Sequence, residues 1–321
     1  MDDYKKLNKW ILAHSKFLDL QVERLNWVKS WLPEYHDFRV TGSLSDHRFE
    51  GRGTDKNEEI AFYKSFSELI ERMYCFALKI NSNGVAAHID KLKAIENAKL
   101  ELLERDAVLC HYLTDTSFRG PEDFNIPHEF KGIRENLKSE GITLTLATTK
   151  AAIADCHVAV CHASGGDRFG VLYGFGCNEN LNEAFESALL ECLINVVAHL
   201  DGNLNLLPLS PNDLYEKTAP TGLDHKRVHF SHKLFELKAD NYGPETSLGT
   251  EENIFETKTL KVPFPIFDDL PLHVVRATSS HLQDIYYGRI QEHKINLVRL
   301  NIFTGRELSL GMLAMVPHPI G

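Results

Sequence analysis

Hydrophobic positions step by three and four through several stretches of this chain and alternate through others. Over residues 1–36, Trp10, Ile11, Phe17, Leu18, Leu20, Val22, Leu25, Val28 and Leu32 recur near helical spacing, and Pro33 ends the run. This predicts an N-terminal helical extension, 1–36, ahead of one domain over 37–321. Phe62, Phe66, Leu69, Met73, Phe76 and Ile80 predict an amphipathic helix over 55–80, with Asp55 to Glu58 as its capping box. Helices are also predicted over 90–113 and 181–200. Strands are predicted at FRVTGSL (38–44), LKSEGITLTLATT (137–149), CHVAVCHA (156–163), FGVLYGFG (169–176), LHVVRAT (272–278) and INLVRLNIF (295–303). A turn is expected around Asp46. Residues 201–265 hold Pro208, Pro211, Pro220 and Pro244 and read as turn-rich. Helices, strands, a helix and then strands again make an α+β chain, with helices packed on a mixed or antiparallel sheet.

A pattern recurs inside this order. Gly51-Arg52-Gly53 is followed by Ala61 and then Glu68; Gly174-Phe175-Gly176 by Ala184 and then Glu191; Asn83-Gly84 by Ala94 and then Glu101. In each case the glutamate lies seven positions after the alanine, two helical turns on the same face. This predicts an internal repeat: a glycine-bearing turn, a helix start, a small residue and a carboxylate. Two copies carry more. Glu68 and Glu71 are followed by Arg72, and Glu101 and Glu104 by Arg105 and Asp106. The first pair is expected opposite the Phe62/Phe66/Leu69/Met73 stripe. The second shares a face with Ala94 and Ala98. Like charges three apart on a helix repel by a few tenths of a kcal/mol, so placing them twice needs a reason. One reason is a solvated face balanced by arginines. The sharper one is a set of helices presenting carboxylates to hard cations. Mg²⁺ prefers a few carboxylate oxygens completed by water and phosphate, and glycine turns at helix starts leave backbone N–H groups for phosphates. Together these predict an Mg–nucleotide site, although no GxxxxGK[ST] loop occurs in the chain.

Composition narrows the picture. The chain has 321 residues, 35 Lys+Arg against 45 Asp+Glu, and a net charge of −10. A broadly acidic surface repels a phosphate polymer, so nucleic acid is not the expected partner. The longest apolar stretch, 188–200, is broken by Glu191 and Asn195 and is too short to span a bilayer. Six cysteines without a CxxC pair fit a reduced, cytoplasmic protein.

The strings GRGTDKNEEIAFYKSFSELIER (51–72), SNGVAAHIDKLKAIENAKLELLERD (82–106) and GFGCNENLNEAFESALLE (174–191) resemble the YcaO family. INLVRLNIFTGREL (295–308) and the terminal PHPIG (317–321) extend the likeness over about 51–321. The resemblance implies the YcaO-type ATP-binding fold and the cofactors ATP and Mg²⁺. It implies O-phosphorylation of a peptide backbone amide after a nucleophile has attacked it. Cyclodehydration of Cys, Ser or Thr to azolines is the expected outcome. Thioamide or amidine formation is the enzymatic alternative, and a degenerate non-catalytic scaffold subunit is the other. Carried residue by residue, Glu68, Glu71, Glu101, Glu104 and Glu191 would hold magnesium. Arg52, Gly53, Ser65, Asn83, Glu68, Glu101 and Arg105 would bind the nucleotide, and Arg105 and Glu191 would act in catalysis. Lys64, Ser187, Ile194 and His88-Ile89 depart from the family's common pattern. Implied partners are a precursor peptide, a separate leader-binding or TfuA-like protein, and a second copy of the chain. The family's proline-rich tail reaches into the active site; Pro317 and Pro319 match it, and an ordinary frayed terminus is the alternative.

Three further motifs are weighed against simpler readings. Cys156-His157 and Cys161-His162 alternate faces on a strand and do not converge from it on a zinc ion. His225, His229 and His232 could share a helix face as metal ligands, or be core or surface histidines. Trp10, Trp27 and Trp31 are a buried face of N-terminal helices or, alternatively, a partner surface.

Overall fold

The computed structural model describes residues 2–120, 127–153, 155–231, 239–240, 248 and 254–320. Among these, the chain runs α1 (Asp2–His14), β1 (Gln21–Arg24), β2 (His36–Leu44), β3 (His47–Asp55), α2 (Glu58–Leu78), β4 (Val85–His88), α3 (Lys91–Leu113), β5 (Phe118–Arg119), α4 (His128–Ser139), β6 (Thr143–Lys150), β7 (His157–Ser164), β8 (Val171–Asn178), α5 (Leu181–Leu200), α6 (Pro211–Glu216), α7 (Gly222–Ser231), β9 (Ala239–Asp240), β10 (Glu256–Thr259), β11 (His273–Thr278) and α8 (Leu297–Thr304). This is the α+β class expected. No helix among the described residues is long and apolar enough to cross a membrane.

The chain divides into two compact units: Met1–Glu101 with Phe255–Thr278, and Leu102–Ile254 with Ser279–Gly321. The division falls inside α3. Residues 1–36 belong to the first unit, together with β2 and β3.

The first unit has two three-stranded sheets, β1-β2-β3 and β10-β11-β4, both antiparallel. Helix α2 packs on β2, β3 and β4. Its stripe enters the core through Phe66, Leu69, Ile70 and Met73, beside Leu7 and Trp10 of α1. The α2 start is set by Asn57, whose side chain accepts the N–H groups of Glu59 and Ile60, rather than by Asp55. The predicted helical run over 1–36 breaks into three pieces. Helix α1 stops at His14, β1 pairs with β2, and Asn26–Ser30 make a short 3₁₀ turn. Apolar residues near helical spacing also suit strand positions when pairing is available, and β2 supplies it. Trp10 is buried and donates to Asp269 Oδ1 at 2.9 Å.

The second unit is built on a five-stranded sheet, β8-β7-β6-β5-β9, antiparallel except for β5 with β9. Helix α5 lies on β7 and β8, at the predicted 181–200. Residues 295–303, read as a strand, instead form α8. Asn296 caps it by accepting the N–H of Arg299 at 3.1 Å, and Gly305 ends it with φ +65°. Leu300 and Phe303 face the core at helical spacing, so capping and burial override the β-branched composition. Helices α4, α6 and α7 were not expected. They stand in polar or proline-bearing stretches whose apolar signal is short.

Candidate functional site

Gly51 and Gly53 lie in strand β3, not in a turn, and both face α2. A Cβ on Gly51 would sit 2.1 Å from the Ser65 carbonyl oxygen, and one on Gly53 would sit 2.2 Å from that of Ala61. The two glycines therefore let strand and helix touch backbone to backbone. The side of Gly53 where a side chain would stand is filled by the helix. Ser65 is fully buried, and its hydroxyl donates to the Gly51 carbonyl at 2.9 Å, so it ties α2 to β3.

Arg52, between the glycines, splits its roles. Its side chain leaves the opposite face of β3 and pairs with buried Asp37 (Nε to Oδ2, 2.9 Å), which also accepts from Thr54 at 3.0 Å. The guanidinium lies 5.1 Å from the centroid of the Trp27 ring. A buried carboxylate thus holds the Arg52 guanidinium in this structure. The Arg52 N–H donates to Glu68 Oε2 at 2.7 Å.

That last bond has counterparts. Phe175 N–H donates to Glu191 Oε2 at 2.7 Å, Ala87 N–H to Glu71 Oε1 at 2.6 Å, and Gly84 N–H to Glu101 Oε2 at 3.0 Å. Four of the five expected metal glutamates are thus aimed by a neighbouring backbone N–H. A carboxylate offers about four lone-pair directions, so one such bond orients it without exhausting it. The solvated-face reading fails for Glu71. Burial pushes its carboxyl well above the usual range, and the charges of Glu101 and Glu68 push the same way, against the Ala87 N–H and Arg72. Glu71 is also not set apart with Glu68, since the two carboxylates bond different strands. Asn83 is buried beside Gly84, whose φ is +68°.

The charge balance of this first unit fits a divalent cation. The charges of Glu68 and Glu101 act on Glu71, and Arg72 acts the other way. Among the described residues no group of three His, Cys, Asp or Glu side chains could hold an ion by itself. A hard ion completed by water and phosphate needs no such cage.

In the second unit a cleft brings together Glu104 and Arg105 of α3, Glu191 of α5 and the C-terminal Pro319-Ile320. Tyr173, Phe175, Lys226 and His229 also line it. The α3 turn carrying Glu104 and Arg105 is fixed by its neighbour Asp106. Buried Arg299 pairs with Asp106 (Nη2 to Oδ2, 2.8 Å; Nε to both oxygens, 3.1 Å), and Gln283 N–H donates to it at 2.7 Å. Such a pair costs roughly 3–5 kcal/mol to break from one side.

The C-terminus is not frayed. Residues 317–320 are buried, and Pro317 O accepts from Tyr112 Oη and from His229 Nε2 at 2.7 Å. His225 Nδ1 donates to His318 O at 3.0 Å, while its Nε2 accepts the Gly288 N–H at 2.9 Å. Burial lowers His225 and His229 to about 4, so both are neutral clamps on the tail rather than a metal pair. His232 lies outside the described residues. The six cysteines form no disulfide, and the Cys156–His162 stretch forms no metal group among the described residues. Sequence reasoning missed Lys226 and Tyr112, and it named His225 and His229 without their place on the tail. Only the histidine spacing hinted at that place.

A sequence model described as YcaO cyclodehydratase, ATP- and Mg²⁺-binding, matches residues 72–282. The fold resembles YcaO from Methanopyrus kandleri bound with AMPPCP and Mg²⁺, with a TM-score of 0.60 and 12% identity over 90% of this chain and 95% of that one. It resembles a heterocyclase in complex with substrate and cofactor (TM-score 0.63, 13% identity), covering 97% of this chain and 57% of that one. The E. coli microcin synthetase McbBCD complex is a third likeness, at TM-score 0.51 and 11% identity over 88% of this chain and 93% of that one. At such identities the structural likeness is one of fold. No curated protein sequence matches significantly. On the family match over most of its length, the chain belongs to the YcaO family, whose cofactors are ATP and Mg²⁺.

Proposed function

We propose that this protein uses Mg-ATP to activate backbone amides of a ribosomally made precursor peptide, converting Cys, Ser or Thr residues to azolines. The observation that carries the reading is the second-unit cleft, where Glu104, Arg105 and Glu191 share a wall with the C-terminal Pro319-Ile320. Bound Mg-ATP supplies the phosphoryl group that turns the amide oxygen into a leaving group. Glu104 and Glu191 hold magnesium there, and Arg105 holds phosphate oxygens through its planar fork. In the first unit Glu68, Glu71 and Glu101 hold magnesium, aimed by their backbone N–H partners, with Asn83 nearby for the nucleotide. Tyr112, His225 and His229 hold the tail so that Pro319 and Ile320 wall the cleft. Glu191 and Arg105 touch the reacting groups and orient them. A separate partner delivers the precursor peptide, and the chain works as a cytoplasmic homodimer.

One observation favours a second reading, a scaffold subunit without catalysis. Ser187 carries no charge, and Ile194 is an apolar, buried side chain where the family's common pattern differs. The test separates the two. Mg-ATP is expected to raise the melting temperature of the full chain, by an amount equivalent to about 2.7 kcal/mol at a hundredfold excess over Kd. Glu68→Gln or Glu104→Gln is expected to remove the effect. A wild type unmoved by saturating Mg-ATP sinks the nucleotide site. With the precursor peptide, the mass spectrum is expected to show loss of water. A gain from oxygen-to-sulfur exchange would instead indicate a thioamide, and an unchanged peptide a scaffold.

A further inference from the structure

We propose that Lys226 is a phosphate-binding residue of the second-unit cleft, contacting the terminal phosphoryl group of the nucleotide while Asn195 holds its ammonium in place. The inference rests on the reading of that cleft as a Mg-ATP site.

Helix α7 places Lys226. His225 on one side and His229 on the other are buried against the C-terminal carbonyls, which fixes the rotation of α7 about its axis. Lys226 lines the cleft in consequence. Its Nζ donates to Asn195 Oδ1 at 2.6 Å, and Asn195 Nδ2 donates to the Glu191 carbonyl at 3.0 Å. The ammonium is thereby tied to the turn of α5 that bears Glu191.

Charge bookkeeping assigns the ligand. The acidic side chains lining the cleft are Glu104 and Glu191, and the cationic ones are Arg105 and Lys226; His229 is neutral near pH 7. The carboxylates suit magnesium, which leaves phosphoryl oxygens to the two cations. On α5 the flanking turns offer only Ser187 and Asn195, so positive charge beside Glu191 has to come from another element. Arginine presents a rigid planar fork, whereas lysine is a compact charge on a flexible stem. The lysine puts a single point of charge against one phosphoryl group, at the position that Asn195 fixes.

Calorimetric titration of the full chain with a non-hydrolysable Mg-ATP analogue and with Mg-ADP tests this. Lys226→Met is expected to weaken the analogue about tenfold or more and Mg-ADP by less than about threefold, the loss of one charge-assisted hydrogen bond. Lys226→Arg is expected to recover most of the analogue affinity, and Asn195→Ala to lose part of it selectively. Equal losses for both nucleotides, or no loss, overturn the assignment. If Lys226→Met does not fold, Asn195→Ala decides: unchanged discrimination between the two nucleotides overturns it. A wild type that binds neither nucleotide sinks the Mg-ATP reading itself and this assignment with it. A wild type that binds both, with Lys226→Met unaffected, sinks only the assignment.

Discussion

In β3 and α2, Gly51 and Gly53 lie against the helix backbone at Ser65 and Ala61, and the N–H of Arg52 between them holds Glu68. In β8 and α5, Gly174 and Gly176 lie against Ala188 and Ala184, and the N–H of Phe175 holds Glu191. A Cβ added at Gly51 or at Gly174 would sit 2.1 Å from the facing carbonyl oxygen, and both glutamate bonds are 2.7 Å. The surroundings differ. One turn after Glu68, Arg72 bonds its Oε1 at 2.5 Å. One turn after Glu191 stands Asn195, which reaches the cation Lys226 on another helix. The outer face of β3 is closed by Arg52 on Asp37, whereas Tyr173 and Phe175 of β8 stack 5.9 Å apart and line a cleft. A shared strand–helix frame aims the carboxylate, and the source of the balancing charge decides whether space remains beside it.

The strongest way to break this parallel is at the glycines. Gly51→Val and Gly174→Val each force a side chain into a carbonyl oxygen of a packed helix, which cannot give way. Each is expected to cost about 3 kcal/mol or more, read as a fall in thermal midpoint. A Gly174→Val protein that melts like the wild type, beside a crippled Gly51→Val, would show that the two frames are not alike.

Acid is expected to separate the units next. Burial lowers His111, His225 and His229 of the second unit to about 4 in the fold, against about 6.5 unfolded. Between those values the unfolded chain binds more protons, so stability falls as pH drops from 6.5 toward 4, by up to about 1.4 kcal/mol per group per pH unit. The three tryptophans, Trp10, Trp27 and Trp31, all belong to the first unit. Far-UV dichroism is therefore expected to lose amplitude in this range before tryptophan emission shifts. Simultaneous changes would mean that the units do not unfold separately.

The smallest effect is expected at Arg72→Ala. The Glu68–Arg72 pair is half-exposed on one helix, and such pairs contribute about 0.3–0.5 kcal/mol. A melting loss well beyond that would show Arg72 anchoring the frame, a role without a counterpart near Glu191.

Helices α2, α3 and α5 and strands β2, β7, β8 and β11 were readable from local period, because each buries one face against a neighbour. The glutamates were readable for the same reason, as their spacing puts them on a helix face. Gly51–Gly53 read as a turn because glycine's local signal does not tell a bend from a place where two backbones touch. Residues 295–303 read as a strand because β-branched content outweighed the local cap at Asn296. Lys226 carries no periodic signature at all.

Sequence alone determined the α+β class, the paired carboxylates and the family. Tertiary structure decided which backbone N–H meets Glu68, Glu71, Glu101 and Glu191, that Ser65 and Gly53 join α2 to β3, and that the tail lines the cleft. The reason is range. Period and capping act within a few residues, whereas the bond from Tyr112 to Pro317 joins positions 205 apart, and only folding brings such groups together.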